Sequence, residues 1–216
     1  MKVNTDGVLL AALADAHPCR HILDIGTGTG VIALMLAQRF ENAQIHAVEI
    51  DAEASATAER NFQNSMFSDR IQISHVAIEQ FHAADKFDLI VSNPPFFVND
   101  LKNAEVKKGV ARHTNDVFFD ELIVKVNSLL SADGCFWFIL PVKQADVLIA
   151  KASLLGLPIR KQIYLHSDAH KPAFRKIVCL GRSMVKQVDT NFYIYESEKV
   201  YTQAYKALLK DFFLGY

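Results

Sequence analysis

The apolar strand pattern His21-Ile22-Leu23-Asp24-Ile25 runs directly into Gly26-Thr27-Gly28-Thr29-Gly30, and an apolar helical stretch, Ile32-Ala33-Leu34-Met35-Leu36-Ala37, follows at once. A strand, a loop with glycine at every second position and a helix make the opening unit of an α/β sheet. Glycine in such a loop lets the backbone come close to a ligand. The dinucleotide fingerprint G-x-G-x-x-G would put its third glycine at position 31, which is Val31 here, and this weakens a nicotinamide-cofactor reading.

The rest of the chain keeps the alternation. Thr5-Asp6 ahead of Val8 to Ala14 predicts a capped helix from about Asp6 to Ala16. Ile45 to Ile50 predicts a second strand ending on the acids Glu49 and Asp51, and Ala52 to Asn64 is rich in helix formers. Ile71 to Val76 alternates apolar and polar residues as a third strand, and Phe87 to Val91 makes a fourth. Residues 98–116 show no clear period and read as a long connection, which in a compact domain is usually functional. Helical spacing returns from Phe118 to Leu130, a fifth strand runs from Cys135 to Leu140, and Ala145 to Leu155 is a helix. Ile159 to His166 and Phe174 to Leu180 most simply form an antiparallel pair, and Thr202 caps a tail helix reaching Phe213. This order implies a mostly parallel sheet with helices on both faces and antiparallel strands at one edge. With 216 residues and no repeat or linker, one domain is expected.

No apolar run approaches the ~20 residues of a membrane span, and no signal-peptide pattern opens the chain, so a cytoplasmic protein is expected. Its three cysteines are widely spaced, without a C-x-x-C pair, and its eight histidines form no ligand set, so neither a disulfide framework nor a metal is expected. The net charge of −1 hides an asymmetry: residues 1–101 carry 6 Lys+Arg against 13 Asp+Glu, and residues 102–186 carry 14 against 7. A basic half of that kind suits a polyanion partner.

Asp24 followed by Gly26, Gly28 and Gly30 resembles the D-x-G-x-G-x-G loop of class I S-adenosylmethionine-dependent methyltransferases. There the loop packs under the methionine portion of the cofactor. A carboxylate at the end of the second strand can accept both ribose hydroxyls, and Glu49 fits, with Asp51 as the fallback. By the same resemblance Ile50 packs on the adenine face and Ala77 and Ile78 line the adenine edge.

The fourth strand ends in Ser92-Asn93-Pro94-Pro95-Phe96-Phe97, where two prolines stop helix and ladder alike. In an open α/β sheet ligands bind at the carboxyl ends of strands. Beside the cofactor loop, Asn93-Pro94-Pro95-Phe96 resembles the [D/N/S]-P-P-[F/Y/W] motif of methyltransferases that modify exocyclic or side-chain amide nitrogens. The resemblance implies that Asn93, which also borders the cofactor, and the Pro94 carbonyl each accept one N–H of the target, while Phe96 stacks on the extruded base. Pro95 and Phe97 would complete the substrate pocket.

A narrower match covers nearly the whole chain. Met1 to Leu10, Ser92 to Phe97, Ala111-Arg112-His113-Thr114, Tyr201-Thr202 and Leu208 to Leu214 are similar to elements of the bacterial tRNA adenine-N6 methyltransferases that modify the adenosine 3′ of the valine-tRNA anticodon. Members usually carry an aromatic and basic stretch ahead of the M-K-V element, tyrosine is commoner than Phe96, and Asn4 stands in for a usual glycine. The resemblance implies a Rossmann-like class I methyltransferase fold with a seven-stranded sheet, S-adenosylmethionine as cofactor and tRNA as partner. It also implies that Lys2, Thr5 and Asp6 close the methionine end of the cofactor. Arg112 and His113 would lie near the target, and Lys107 and Lys108, with Arg160, Lys161, Arg175 and Lys176, would track phosphates. Two alternatives stay open: a protein glutamine methyltransferase of the release-factor type, which shares the N-P-P-[YF] motif, and a non-catalytic RNA-binding module.

Overall fold

The structure, a computed structural model, describes residues 4–95, 106–183 and 185–213, and of residues 106–116 the backbone alone. The elements are α1 (Thr5–Leu13), β1 (His21–Ile25), α2 (Val31–Arg39), β2 (Gln44–Glu49), α3 (Ala52–Gln63), β3 (Ile71–His75) and β4 (Phe87–Ser92). There follow α4 (Val106–Leu129), β5 (Leu130–Pro141), α5 (Val142–Leu154), β6 (Ile159–His166), β7 (Ala173–Gly181), β8 (Val188–Tyr193), the short pair β9 (Tyr195–Ser197) and β10 (Val200–Tyr201), and α6 (Gln203–Leu209).

Eight strands form one sheet in the order β3-β2-β1-β4-β5-β7-β6-β8. The first five are parallel, β7 is antiparallel to both its neighbours, and β8 runs parallel to β6. The strand order reverses between β1 and β4, where Ile25 lies opposite Ser92. The carboxyl ends at such a reversal leave a crevice. The glycine loop and the Asn93 turn are thereby placed side by side, although 67 residues separate Ile25 from Ser92.

The tail helix α6 ends at Leu209, short of the expected Phe213, and two larger features also differ from the sequence expectation. The sheet has an eighth strand, Val188–Tyr193, at its outer edge, and β9 pairs with β10 in a separate ribbon. The Val188-Asp189-Thr190-Asn191 part of β8 is exposed, so the strand lacks the alternating buried face that periodicity detects. The second difference is α4, whose backbone is helical from Val106, twelve residues before its apolar spacing begins at Phe118. Propagation of an existing helix costs far less than nucleation, so an amphipathic segment anchored on the sheet can carry a polar, Gly109-containing extension.

Apolar faces on the two sides of the sheet bury separate cores. One joins α1, α2 and α6 through residues such as Leu9, Leu36, Trp137 and Leu209, and the other joins α4 and α5 through Phe119, Ile123, Phe138 and Leu148. The Trp137 indole N–H, buried in the first core, donates to the carbonyl of Asp15 at 2.8 Å. Among the described residues no helix is long and apolar enough to cross a membrane.

Gly30 sets the junction between loop and helix. It sits just ahead of α2 at φ 90°, in the left-handed region, and a Cβ there would lie 2.4 Å from Cε1 of the buried Phe62 ring. Left-handed backbone costs an L-residue roughly 1–2 kcal/mol, and overpacking a core roughly 1–3 kcal/mol more. Gly30→Ala is therefore expected to destabilise the fold by about 2–5 kcal/mol. Urea unfolding monitored at Trp137 measures this, and a midpoint equal to that of the parent would contradict the packing described here.

Candidate active site

The glycine loop is pinned from below. Backbone N–H groups of Gly26 and Thr27 donate to the Val48 carbonyl at 2.8 and 3.1 Å, and Gly30 N–H closes a turn onto Thr27 at 3.0 Å. Beneath it lies Asp24, 0% exposed, whose Oδ2 accepts the Thr27 hydroxyl at 2.6 Å. Its Oδ1 is buried with no hydrogen-bond partner. Burial pushes the Asp24 carboxyl up to about 7; the Thr27 hydroxyl and the Ala33 backbone N–H pull it down, and nearby Glu49 adds to the rise.

The raised value has a stability consequence. Between about pH 4 and pH 7 the folded state holds a proton on Asp24 that the unfolded chain has released, so this group's contribution is complete below pH 4 and is lost as pH rises through 7. Over that window stability should fall by on the order of 1 kcal/mol per pH unit from this residue. Asp24→Asn, which cannot ionise, is expected to flatten the decline. Denaturant midpoints of parent and variant at pH 5 and pH 8 would test this, and parallel pH profiles would remove Asp24 as the source.

Glu49 closes the loop from the side. Only 8% exposed at the end of β2, it accepts the Gly28 N–H on Oε2 at 2.8 Å and the Asp51 N–H on Oε1 at 2.9 Å. Two charge-assisted bonds hold both carboxylate oxygens in place, with lone pairs remaining for further donors. Asp51, the fallback, is occupied elsewhere: it is the N-cap of α3, accepting from Ala54 N–H at 2.8 Å.

At the adjoining rim the Ser92 hydroxyl, fully buried, donates to the Ile25 carbonyl at 3.0 Å and ties the end of β4 to that of β1. Asn93 follows with Oδ1 buried and without a partner, Pro94 is buried, and Pro95 is exposed. An unpaired buried acceptor costs a folded chain roughly 1–3 kcal/mol, so its persistence beside a crevice marks a place for a donor.

These groups line one cleft of about 630 Å³. Its walls include Gly26, Gly28, Glu49, Ile50, Ala77, Ile78, Asn93, Pro94 and Pro95. Ile50 stands 69% exposed on the wall, an apolar side chain held open to solvent at the rim of the cleft. Asp24 and Gly30 support the loop and do not line the cleft.

Other residues differ from their expected places. Thr5 is exposed on the first turn of α1 and is not part of the wall; its neighbours Asn4 and Gly7 are. Asp6 is buried against Arg175, whose Nε lies 2.7 Å from its Oδ2. Lys176 is likewise buried, bonded to Asp146 and set 5.1 Å over the Tyr164 ring, while Arg160 donates to the Asp133 carbonyl and Lys161 stands over Trp137. These four β6 and β7 cations are engaged within the fold. Lys2, Phe96 and Phe97 lie outside the described residues, and the side chains of Lys107, Lys108, Arg112 and His113 do too, although their backbone belongs to α4.

Sequence reasoning missed the walls supplied by Asn4, Gly7, Val31, Ile32, Val76 and Phe118. Apart from Asn4 they are apolar or glycine, carry no chemical signature and are recruited by position. A Cβ on Gly7 would lie 3.4 Å from Ile32 and 3.7 Å from Asn93 Nδ2, so α1 packs closely on both. Among the described residues, no group of three or more His, Cys, Asp or Glu could hold a metal ion.

Residues 4–145 match the family described as the Methyltransferase small domain. The chain is 55% identical over its whole length to a tRNA1(Val) (adenine(37)-N6)-methyltransferase of Pedobacter heparinus, covering 92% of that protein. It is 39% identical to the protein of the same name from Dyadobacter fermentans, with 100% and 92% of the two chains aligned. In fold it is similar to a predicted O-methyltransferase of Agrobacterium tumefaciens, with a TM-score of 0.74, 20% identity and 95% and 96% coverage of the two chains. The family match over residues 4–145 and sequence identity across the full length show that the chain belongs to the tRNA1(Val) (adenine(37)-N6)-methyltransferase family.

Proposed function

We infer that this protein transfers a methyl group from S-adenosylmethionine to the exocyclic N6 of adenosine 37 in a valine tRNA. The observation that carries the reading is the unpaired Oδ1 of Asn93 at the edge of the cleft that Glu49 and the glycine loop also line. Both ends of the cleft fit the cofactor. Glu49 presents a fixed carboxylate to the ribose hydroxyls, and Ile50, Ala77 and Ile78 offer apolar surface to a flat ring. Gly26 and Gly28 leave room for the methionine portion.

S-adenosylmethionine, when bound, supplies an electrophilic methyl group on a sulfonium. Everything else falls to the chain. The N6 of adenine is a poor nucleophile because its lone pair is delocalised into the ring. Asn93 Oδ1 and the Pro94 carbonyl each accept one N–H, which turns the nitrogen toward tetrahedral geometry and aims the lone pair at the methyl group. Neither acceptor needs to be a strong base: as the nitrogen takes the methyl group the S–C bonding pair stays on sulfur as a neutral thioether, and the proton the nitrogen then sheds passes to solvent. Orientation and electrostatics therefore supply most of the acceleration. The rigid Pro94-Pro95 turn fixes the acceptor carbonyl, and by the family motif Phe96 and Phe97 stack on and enclose the extruded base. The basic helix start at Lys107, Lys108, Arg112 and His113 supplies phosphate and base-edge contacts, and all these parts work as one domain.

The test is direct. tRNA from a strain lacking the modification, incubated with the protein and labelled S-adenosylmethionine, is expected to yield N6-methyladenosine on nucleoside analysis. Label appearing in a release factor and not in tRNA would transfer the assignment to protein glutamine methylation.

A further inference from the structure

Phe174 is the second residue of β7, at the carboxyl rim of the parallel strands, and is 37% exposed. The residue two further on, Lys176, is covered by its bond to Asp146 of α5, whereas Phe174 lies one pleat step nearer the rim. Strand order puts β7 two places from β4, or about 10 Å across the sheet from the strand that delivers Asn93.

A chain of contacts joins the two. The Arg175 guanidinium carbon stands 5.4 Å from the Phe174 ring centroid, and Nη1 donates to the Phe174 carbonyl at 3.2 Å. Arg175 Nε donates to Asp6 Oδ2 at 2.7 Å. Asp6 precedes Gly7, which lines the cleft beside Asn93. The ring is thus held by an ion pair whose acid is buried at the start of α1. The guanidinium stands over one face of a ring that is still partly exposed, and an exposed aromatic ring backed by a cation is a surface on which single-stranded RNA bases stack.

We propose that Phe174, held by Arg175 and Asp6, is the stacking platform for a nucleotide flanking the target adenosine. The proposal rests on the reading of the protein as an RNA methyltransferase and adds a second base site to it. An extruded adenine leaves its neighbours unstacked at the mouth of the cleft, and stacking one of them on Phe174 compensates part of that loss. The contact is sequence-tolerant, because every base has a π-face.

Phe174→Ala and Phe174→Trp, assayed on unmodified tRNA, separate the possibilities. Alanine is expected to raise KM for tRNA about tenfold or more, with kcat and S-adenosylmethionine affinity within about twofold of the parent, and tryptophan to restore KM. RNA carrying 2-aminopurine on one or the other side of the target should be quenched by the parent on one side, and Phe174→Ala should abolish that quenching. An alanine variant with parental KM and quenching overturns the platform while leaving the methyltransferase reading intact. So does a tryptophan variant as impaired as alanine. Should the parent protein methylate no tRNA, the methyltransferase reading and the platform both fall.

Discussion

Replacing Asn93 with alanine is expected to lower kcat on tRNA by about 10²–10³-fold, the loss typical of removing one preorganised group that acts on charge developing in the transition state. Cofactor affinity should change little, because Glu49 and the loop that define the ribose end are untouched. Stability gives the discriminating readout. Asn93 Oδ1 is an unpaired buried acceptor in the free protein, so its removal takes away a cost and should leave the melting temperature unchanged or raised. Site residues that sacrifice stability for chemistry behave in this way. A variant with nearly parental kcat, or one whose lost activity parallels a lowered melting temperature, would take Asn93 out of the mechanism.

The second large effect falls on Glu49. Its two oxygens are already committed to Gly28 and Asp51 N–H groups, so the carboxylate cannot swing away when the ribose leaves. Glu49→Ala removes the ribose acceptor and the tether of the loop together, and should weaken S-adenosylmethionine binding by about 10²-fold. Glu49→Gln keeps the shape but loses the charge and one acceptor, and should weaken it by about tenfold. Titration calorimetry checks both values. Ligand stabilisation scales with RT ln(1 + [L]/Kd), so the thermal shift that saturating cofactor gives the parent should largely vanish in the alanine variant. At saturating cofactor kcat should change little, since the lost interaction is present in ground and transition states alike. Parental affinity in either variant would reassign the ribose contact.

Resistance of the two sites to substitution should differ in kind. Gly30 and Asp24 lie beneath the loop and outside the cleft, whereas Asn93 and Glu49 line it. Changes at the first pair register in unfolding curves and changes at the second in kinetics and binding.

Much of this arrangement is legible along the chain because its signals are local. Strand, glycine loop and helix occupy one contiguous stretch, and Glu49 and Asn93 each end an apolar run, so period and punctuation suffice to place them at strand ends. The Thr202 cap on the tail helix also appears as expected, its hydroxyl accepting from Tyr205 N–H at 3.1 Å. Where the local pattern is weak, expectation and structure part. The exposed β8 edge strand and the polar beginning of α4 lack an apolar face, and both owe their conformation to the element they extend or adjoin.

Long-range pairing is a different matter. Asp6 is expected to serve the cofactor and is found bonded to Arg175, 169 residues away, whose guanidinium also stands over the Phe174 ring. The amino-acid sequence alone determines the cofactor loop, the acid at the end of β2 and the asparagine turn at the end of β4, since each is written in neighbouring residues. Tertiary structure alone decides which strand ends become adjacent, which cations are consumed inside the fold, and that Asn4, Gly7 and Phe118 wall the cleft. Those facts depend on the order of strands in the sheet and on the burial of charges against distant partners, and neither leaves a periodicity in the chain.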